Sequence, residues 1–218
     1  MIFDAQGLPT ESGATSFGDS ARLGGLLAVI EHPQTPDMTK YLVRVDGLLM
    51  GTRHPTEPTS SNPFNCTRDQ LIPICAGLNK QGKHDEAREL YDATLRRGLR
   101  AQNTEYDVPG STKKFPDGAD FMNPFHMLIM AIAAKKHVWL WAAPGYLFAV
   151  LDILFNAIFT PVRESNQLIC ALSVLGPRWL KLYMAVTPRW RQALTDYWDG
   201  WRNEPELSKD VIKYMESL

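Results

Sequence analysis

Fourteen consecutive residues, Val138 to Leu151, carry no charge, and with Asp152 and Asn156 included the apolar character runs on to Val162. Such a segment has to be withdrawn from water, which limits the architectures open to the chain. A membrane span needs about 20 predominantly apolar residues. Here Pro144 and Gly145 interrupt the run, and a carboxylate such as Asp152 at bilayer depth would cost about 3 kcal/mol. The reading favoured is a buried helix pair in a soluble core, with interfacial insertion and a permanent span as alternatives. In helical register Gly145, Ala149, Asp152, Asn156 and Thr160 share one stripe, while Phe148, Leu151, Phe155 and Phe159 lie on other faces. A helix that is greasy on most sides with one small or polar seam is expected in the middle of a bundle, its seam against a close neighbour.

The flanking sequence supplies helices for such a bundle. Asn123-Pro124, Ala143-Pro144, Thr160-Pro161, Gly176-Pro177, Thr187-Pro188 and Glu204-Pro205 each precede an apolar stretch. Proline in a first helical turn loses no hydrogen bond and has its φ preset, and Asn or Thr before it caps free N–H groups. Two further helices start earlier. Thr67-Arg68-Asp69-Gln70 has the capping-box spacing, and Asp85 opens a helix that places Ala87, Leu90, Tyr91, Thr94 and Leu95 on one face and stops at Gly98. The polar connection from 99 to 122, with Pro109-Gly110 and Phe115-Pro116-Asp117-Gly118, is long for a structureless loop and reads as a lid or contact loop.

The first 66 residues differ. Gly, Pro, Ser and Thr interrupt every apolar run there, and six of the fifteen prolines fall in this stretch, whereas all six tryptophans lie beyond residue 138. Leu26–Ile30 reads as a strand, and 41–50 reads as a small hairpin, since Asp46-Gly47 favours a type I′ turn. The expected fold is mainly α: about eight helices packed around a 124–175 core over residues 67–218, preceded by an irregular N-terminal arm over 1–66 that carries a β-hairpin.

Charge and cysteine usage narrow the function classes. With 23 Lys+Arg against 24 Asp+Glu, the chain has no global basic field to hold nucleic acid. Cys66, Cys75 and Cys170 are too few for a disulfide scaffold and show no metal-ligand spacing, so neither a metal nor a cofactor is expected. The first residues lack the basic and apolar regions of a secretory signal, from which a cytoplasmic chain is expected. The Asn65-Cys66-Thr67 sequon would matter only in a secretory pathway.

The sequence has no GxSxG, HExxH, Walker or GxGxxG pattern. Two polar clusters remain as catalytic candidates. Arg53 and His54 lie near Arg68 and Asp69, whose carboxylate at a helix start is already explained by the helix dipole. Asp120 and Asp117, near His126, offer a pair of acids, although acids three apart beside glycine are more often turn formers. Asp69, Asp120 and His54 are thus the acid–base candidates. Near the C-terminus Arg178, Trp179, Arg189, Trp190 and Trp201 interleave cations with indoles, as a partner-binding surface does. At helical spacing, however, Trp190, Leu194, Tyr197 and Trp201 also form the face that a core helix needs.

Two resemblances add to this. Leu71 to Gly98, especially Gly77–Gly82 and Asp85–Tyr91, resembles one pentatricopeptide-type helical hairpin; without a second copy, this implies the hairpin shape and not RNA binding. The order Gly18-Asp19-Ser20-Ala21, Arg53-His54-Pro55, Thr67-Arg68-Asp69-Gln70 resembles uncharacterised proteins of tailed phages and their bacterial hosts, with Thr67 in place of the group's Ser. That resemblance implies a phage or prophage setting and a virion or tail accessory protein. The leading expectation is therefore a non-enzymatic assembly protein, cytoplasmic when made and then virion-associated, acting through protein partners or self-association. The alternatives are an all-helical hydrolase acting on glycan or peptidoglycan, and a membrane-active effector inserting 138–162.

Overall fold

The computed structural model describes residues 2–3, 7–10, 17–45, 48–51, 68–101, 121–159, 162–201 and 204–218. The fold is mainly α. Among the described residues nine α-helices succeed one another, where about eight were expected: α1 (Phe17–Val29), α2 (Arg68–Lys80), α3 (His84–Arg96), α4 (Pro124–Ala134), α5 (Val138–Phe159), α6 (Val162–Leu175), α7 (Pro177–Val186), α8 (Trp190–Thr195) and α9 (Pro205–Ser217). A 3-10 turn, Met38–Tyr41, follows α1, and a wide π turn, Asp196–Trp201, joins α8 towards α9. Short antiparallel backbone pairings join Ile2–Phe3 to Pro9–Thr10 and Leu42–Val45 to Leu48–Gly51. The Asp46-Gly47 turn expected between the second pair lies outside the described residues.

Helix α1 corrects the sequence reading, which made Leu26–Ile30 a strand in an irregular arm. All of Ser20 to Val29 is buried, and α1 packs on α2 within the main core. Its two glycines are there for close approach. A Cβ on Gly25 would sit 2.5 Å from Pro73 of α2, and one on Gly24 would strike the Tyr41 ring. Gly24 and Gly25 weaken helix propensity by about 1 kcal/mol each, yet here they admit the Pro73 ring and the Tyr41 phenol, which donates to the Ser20 carbonyl at 2.7 Å.

Helices α2 and α3 form a hairpin across Gln81-Gly82-Lys83, with Gly82 at φ +70°. The buried face of α3 consists of Ala87, Leu90, Tyr91, Ala93 and Thr94, close to the face read from the spacing. Helix α4 starts at Pro124 under an Asn123 cap whose side chain accepts from His126 N–H at 2.9 Å. Pro177 and Pro205 open α7 and α9 as expected. Pro144 does not open a helix: it lies inside α5, exposed, and the helix continues through it. Residues 160 and 161 lie outside the described residues.

Helix α5 also departs from expectation. Gly145, Ala149, Ile153 and Asn156 are its buried residues, so three members of the expected seam do face neighbours. The bulky faces do not: Trp139, Leu147, Leu151, Leu154, Phe155 and Ile158 are exposed. The helix is attached along one stripe, where Gly145 lets Leu128 of α4 approach so closely that a Cβ would meet it at 2.6 Å.

The C-terminal tryptophans largely complete the core. Trp190 is 3% exposed, Tyr197 and Trp198 are fully buried, and the Trp198 Nε1–H donates to Asn166 Oδ1 at 2.8 Å.

Candidate functional site

Four helices converge on a cleft of about 200 Å³ lined by Arg68 and Asp69 of α2, Asn123 before α4, Phe125 and His126 of α4, Asp152, Phe155 and Asn156 of α5, and Gln167, Leu168 and Ala171 of α6. Local sequence explains several of these positions. Arg68 and Asp69 sit in the first turn of α2, where the helix dipole favours a carboxylate. The Asn123 cap fixes the first turn of α4 and so places His126. Asp152 and Asn156 are one turn apart beside the packed seam of α5, and Asn156 Nδ2 donates to the Asp152 backbone carbonyl at 3.0 Å.

The charges are unequal in their surroundings. Asp69 accepts from the buried Arg22 guanidinium at 2.6 Å, and the Arg68 Nε lies 3.9 Å from its other oxygen. Asp152 has no such partner among the described residues. Burial pushes its carboxyl up to about 6, against a smaller opposing pull from Arg68. Burial drives His126 down to about 4, helped by the Arg68 charge and opposed by Asp69, so the ring is neutral at pH 7. The Gln167 Nε2–H points at His126 Nε2 at 3.3 Å, which leaves the proton on Nδ1. Nδ1 is buried and has no hydrogen-bond partner among the described residues. The site thus holds a carboxylate tied to arginine, a carboxyl poised to be protonated in mild acid, a neutral imidazole and three amide side chains beside two phenyl rings.

Of the sequence candidates, Asp69 lies in this cleft, whereas His54 and Asp120 lie outside the described residues. Arg68 and Asp69 meet His126 and Asp152 there. His126 was read with Asp117 and Asp120, and Asp152 as an interruption of the apolar run and a member of its polar seam, not as an acid–base candidate. The signal that could have found Asp152 is its i, i+4 partner Asn156: two polar residues at one-turn spacing in a greasy helix face something polar. Arg22 gave no such signal. Among the described residues no group of three His, Cys, Asp or Glu is placed to hold a metal ion.

At the other proposed surface, Arg178 and Arg189 are exposed, while Trp179 is half-buried and stacks on Tyr146 with ring centroids 5.4 Å apart. Trp190 packs in the core with Arg191 over its ring at 4.6 Å, and the Trp201 side chain lies outside the described residues. Compared with known proteins, the chain matches no family model, no curated protein and no solved structure.

Proposed function

We propose that the chain is a hydrolase acting on a glycan, peptidoglycan included, with the α2/α4/α5/α6 cleft as its active site. The observation that carries this reading is the pairing, in one cleft, of Asp69 tied to Arg22 with Asp152 raised to about 6 by burial. Glycosidic cleavage requires two carboxyls in unlike surroundings, one of them able to hold a proton. Protonated Asp152 donates its proton to the departing glycosidic oxygen as the C–O bond breaks. Asp69, oriented by its ion pair with Arg22, takes the proton of the water that attacks the anomeric carbon. Amides such as Asn123, Asn156 and Gln167 suit sugar hydroxyls, and the exposed Phe155 offers an apolar face to a ring.

Asp152→Asn is the clean test, because the amide keeps the shape and can still bind. Its expected effect is loss of at least about 100-fold in turnover with binding retained; turnover equal to that of the parent would remove the assignment. Asp69→Asn leaves the buried Arg22 facing a neutral amide, so its folding must be measured beside its activity.

The non-enzymatic particle component remains a second proposal, to which the exposed Arg178 and Arg189 lend support and the buried Trp190 does not. A small hairpin in which Asp46-Gly47 joins 42–45 to 48–51 belongs to both readings, with the antiparallel register Val45 opposite Leu48 as its support.

A further inference from the structure

Helix α5 turns most of its apolar surface outward. Trp139 is 79% exposed, Ile158 72% and Phe159 65%, with Leu147, Leu151 and Leu154 between 47% and 59%. The helix has 22 residues and is therefore about 33 Å long. A continuous apolar face of this extent is rare on a free surface and marks an interface.

The chemistry around the face selects its occupant. Helix α7 packs beside α5 through the Tyr146–Trp179 stack, and its outer side exposes Arg178, Lys181 and Leu182. Lys135 stands exposed just before the head of α5. None of these three cations forms an ion pair among the described residues, and α7 contains no acid. From Lys135 to Arg191 the chain holds seven Lys or Arg against two Asp or Glu, although the whole chain is at −1. The only charged residue within α5 itself, Asp152, lines the cleft.

We infer that the exposed face of α5, with Lys135, Arg178 and Lys181 at its border, docks in the plane of an anionic lipid surface. Apolar side chains enter the acyl boundary, the aromatic rings of Trp139, Tyr146 and Trp179 suit the headgroup level, and the cations meet lipid phosphates. A second copy of this chain fits less well. A two-fold interface lays the same patch on itself, so the α7 cations would meet like charges with no acid to pair. A permanent span fits less well too, since it would pull α5 away from Leu128, which fills the notch at Gly145. The inference is independent of what the cleft does.

The test is co-sedimentation of the full chain with vesicles of phosphatidylcholine alone and of phosphatidylcholine mixed with phosphatidylglycerol. The expected result is binding to the mixed vesicles, weaker binding to the neutral ones, and a loss of about fivefold on Lys181→Glu. Ile158→Glu, at a site where no packing is lost, should weaken binding about tenfold while the melting temperature stays unchanged. Three results would overturn the inference. One is no binding to either vesicle, or binding that both variants leave intact. Another is a soluble dimer that Ile158→Glu dissolves in the absence of lipid. The last is a chain recovered only in detergent and resistant to alkaline extraction.

Discussion

Helices α4 and α5 are neighbours and both are apolar along their length, yet they stand in opposite surroundings. Phe125 to Ala134 of α4 are buried almost without a gap, because α2, α3, α5 and α6 all pack on that helix. Helix α5 is held along one stripe of small residues and leaves its largest side chains outside. Hydrophobicity alone therefore does not say which helix is central. The size pattern does: where Gly145 and Ala149 face a neighbour the backbones come close, and the bulky residues are left on the other sides.

Substitutions can break or sharpen this contrast. Leu128 of α4 is fully buried, so Leu128→Ala should cost about 3 kcal/mol of unfolding free energy. Urea denaturation would measure this, and a near-zero effect would deny α4 its central position. Gly145→Ala should cost about 1–3 kcal/mol, because the new methyl meets Leu128 Cβ at 2.6 Å and the Pro124 carbonyl at 3.0 Å. Ile158→Ala on the outer face of α5 should change stability by no more than about 0.5 kcal/mol in the same assay.

The cleft between the two helices should show in the pH dependence of stability. His126 protonates at about 4 in the fold against 6.5 ordinarily, so the unfolded chain takes its proton first and stability falls as pH drops through that window. Asp152 has the opposite sign. Its carboxyl sits at about 6 against 3.8, so the fold keeps a proton that the unfolded chain has lost, and stability falls as pH rises from 3.8 to 6. Between about 4 and 6 the two slopes oppose each other, and removing either exposes the other. Asp152→Asn should lose more stability than the parent between pH 6.5 and 4, whereas His126→Gln should become less stable as pH rises from 4 to 6, both read from thermal melts. Parallel profiles for the parent and both variants would contradict the buried environment of these groups.

Much of the helical frame was legible because its signals are local. Asn123 before Pro124, and the acids and Gly98 at the ends of α3, act within a turn or two of the residues they cap. Helix α1 was not legible, since Gly24 and Gly25 look like breakers until Tyr41 and Pro73 are beside them. The same holds for the cleft. Asp69 was found from its place at a helix start, but its partner Arg22 lies 47 residues away, and Asp152 reaches the site through the packing of α5 on α4. The C-terminal face of Trp190, Leu194 and Tyr197 was legible from its helical spacing as one that a core helix needs, and it is turned inward.

The most direct test of the proposed activity is reducing-end release from peptidoglycan and from soluble glycan oligomers, followed from pH 4 to pH 8 with the parent chain and Asp152→Asn. With Asp152 as the proton donor at about 6, release by the parent should fall about tenfold per pH unit above that value, and the variant should lose the activity across the range. Release that is flat with pH and the same in both chains, or none from any substrate by the parent, would contradict the account.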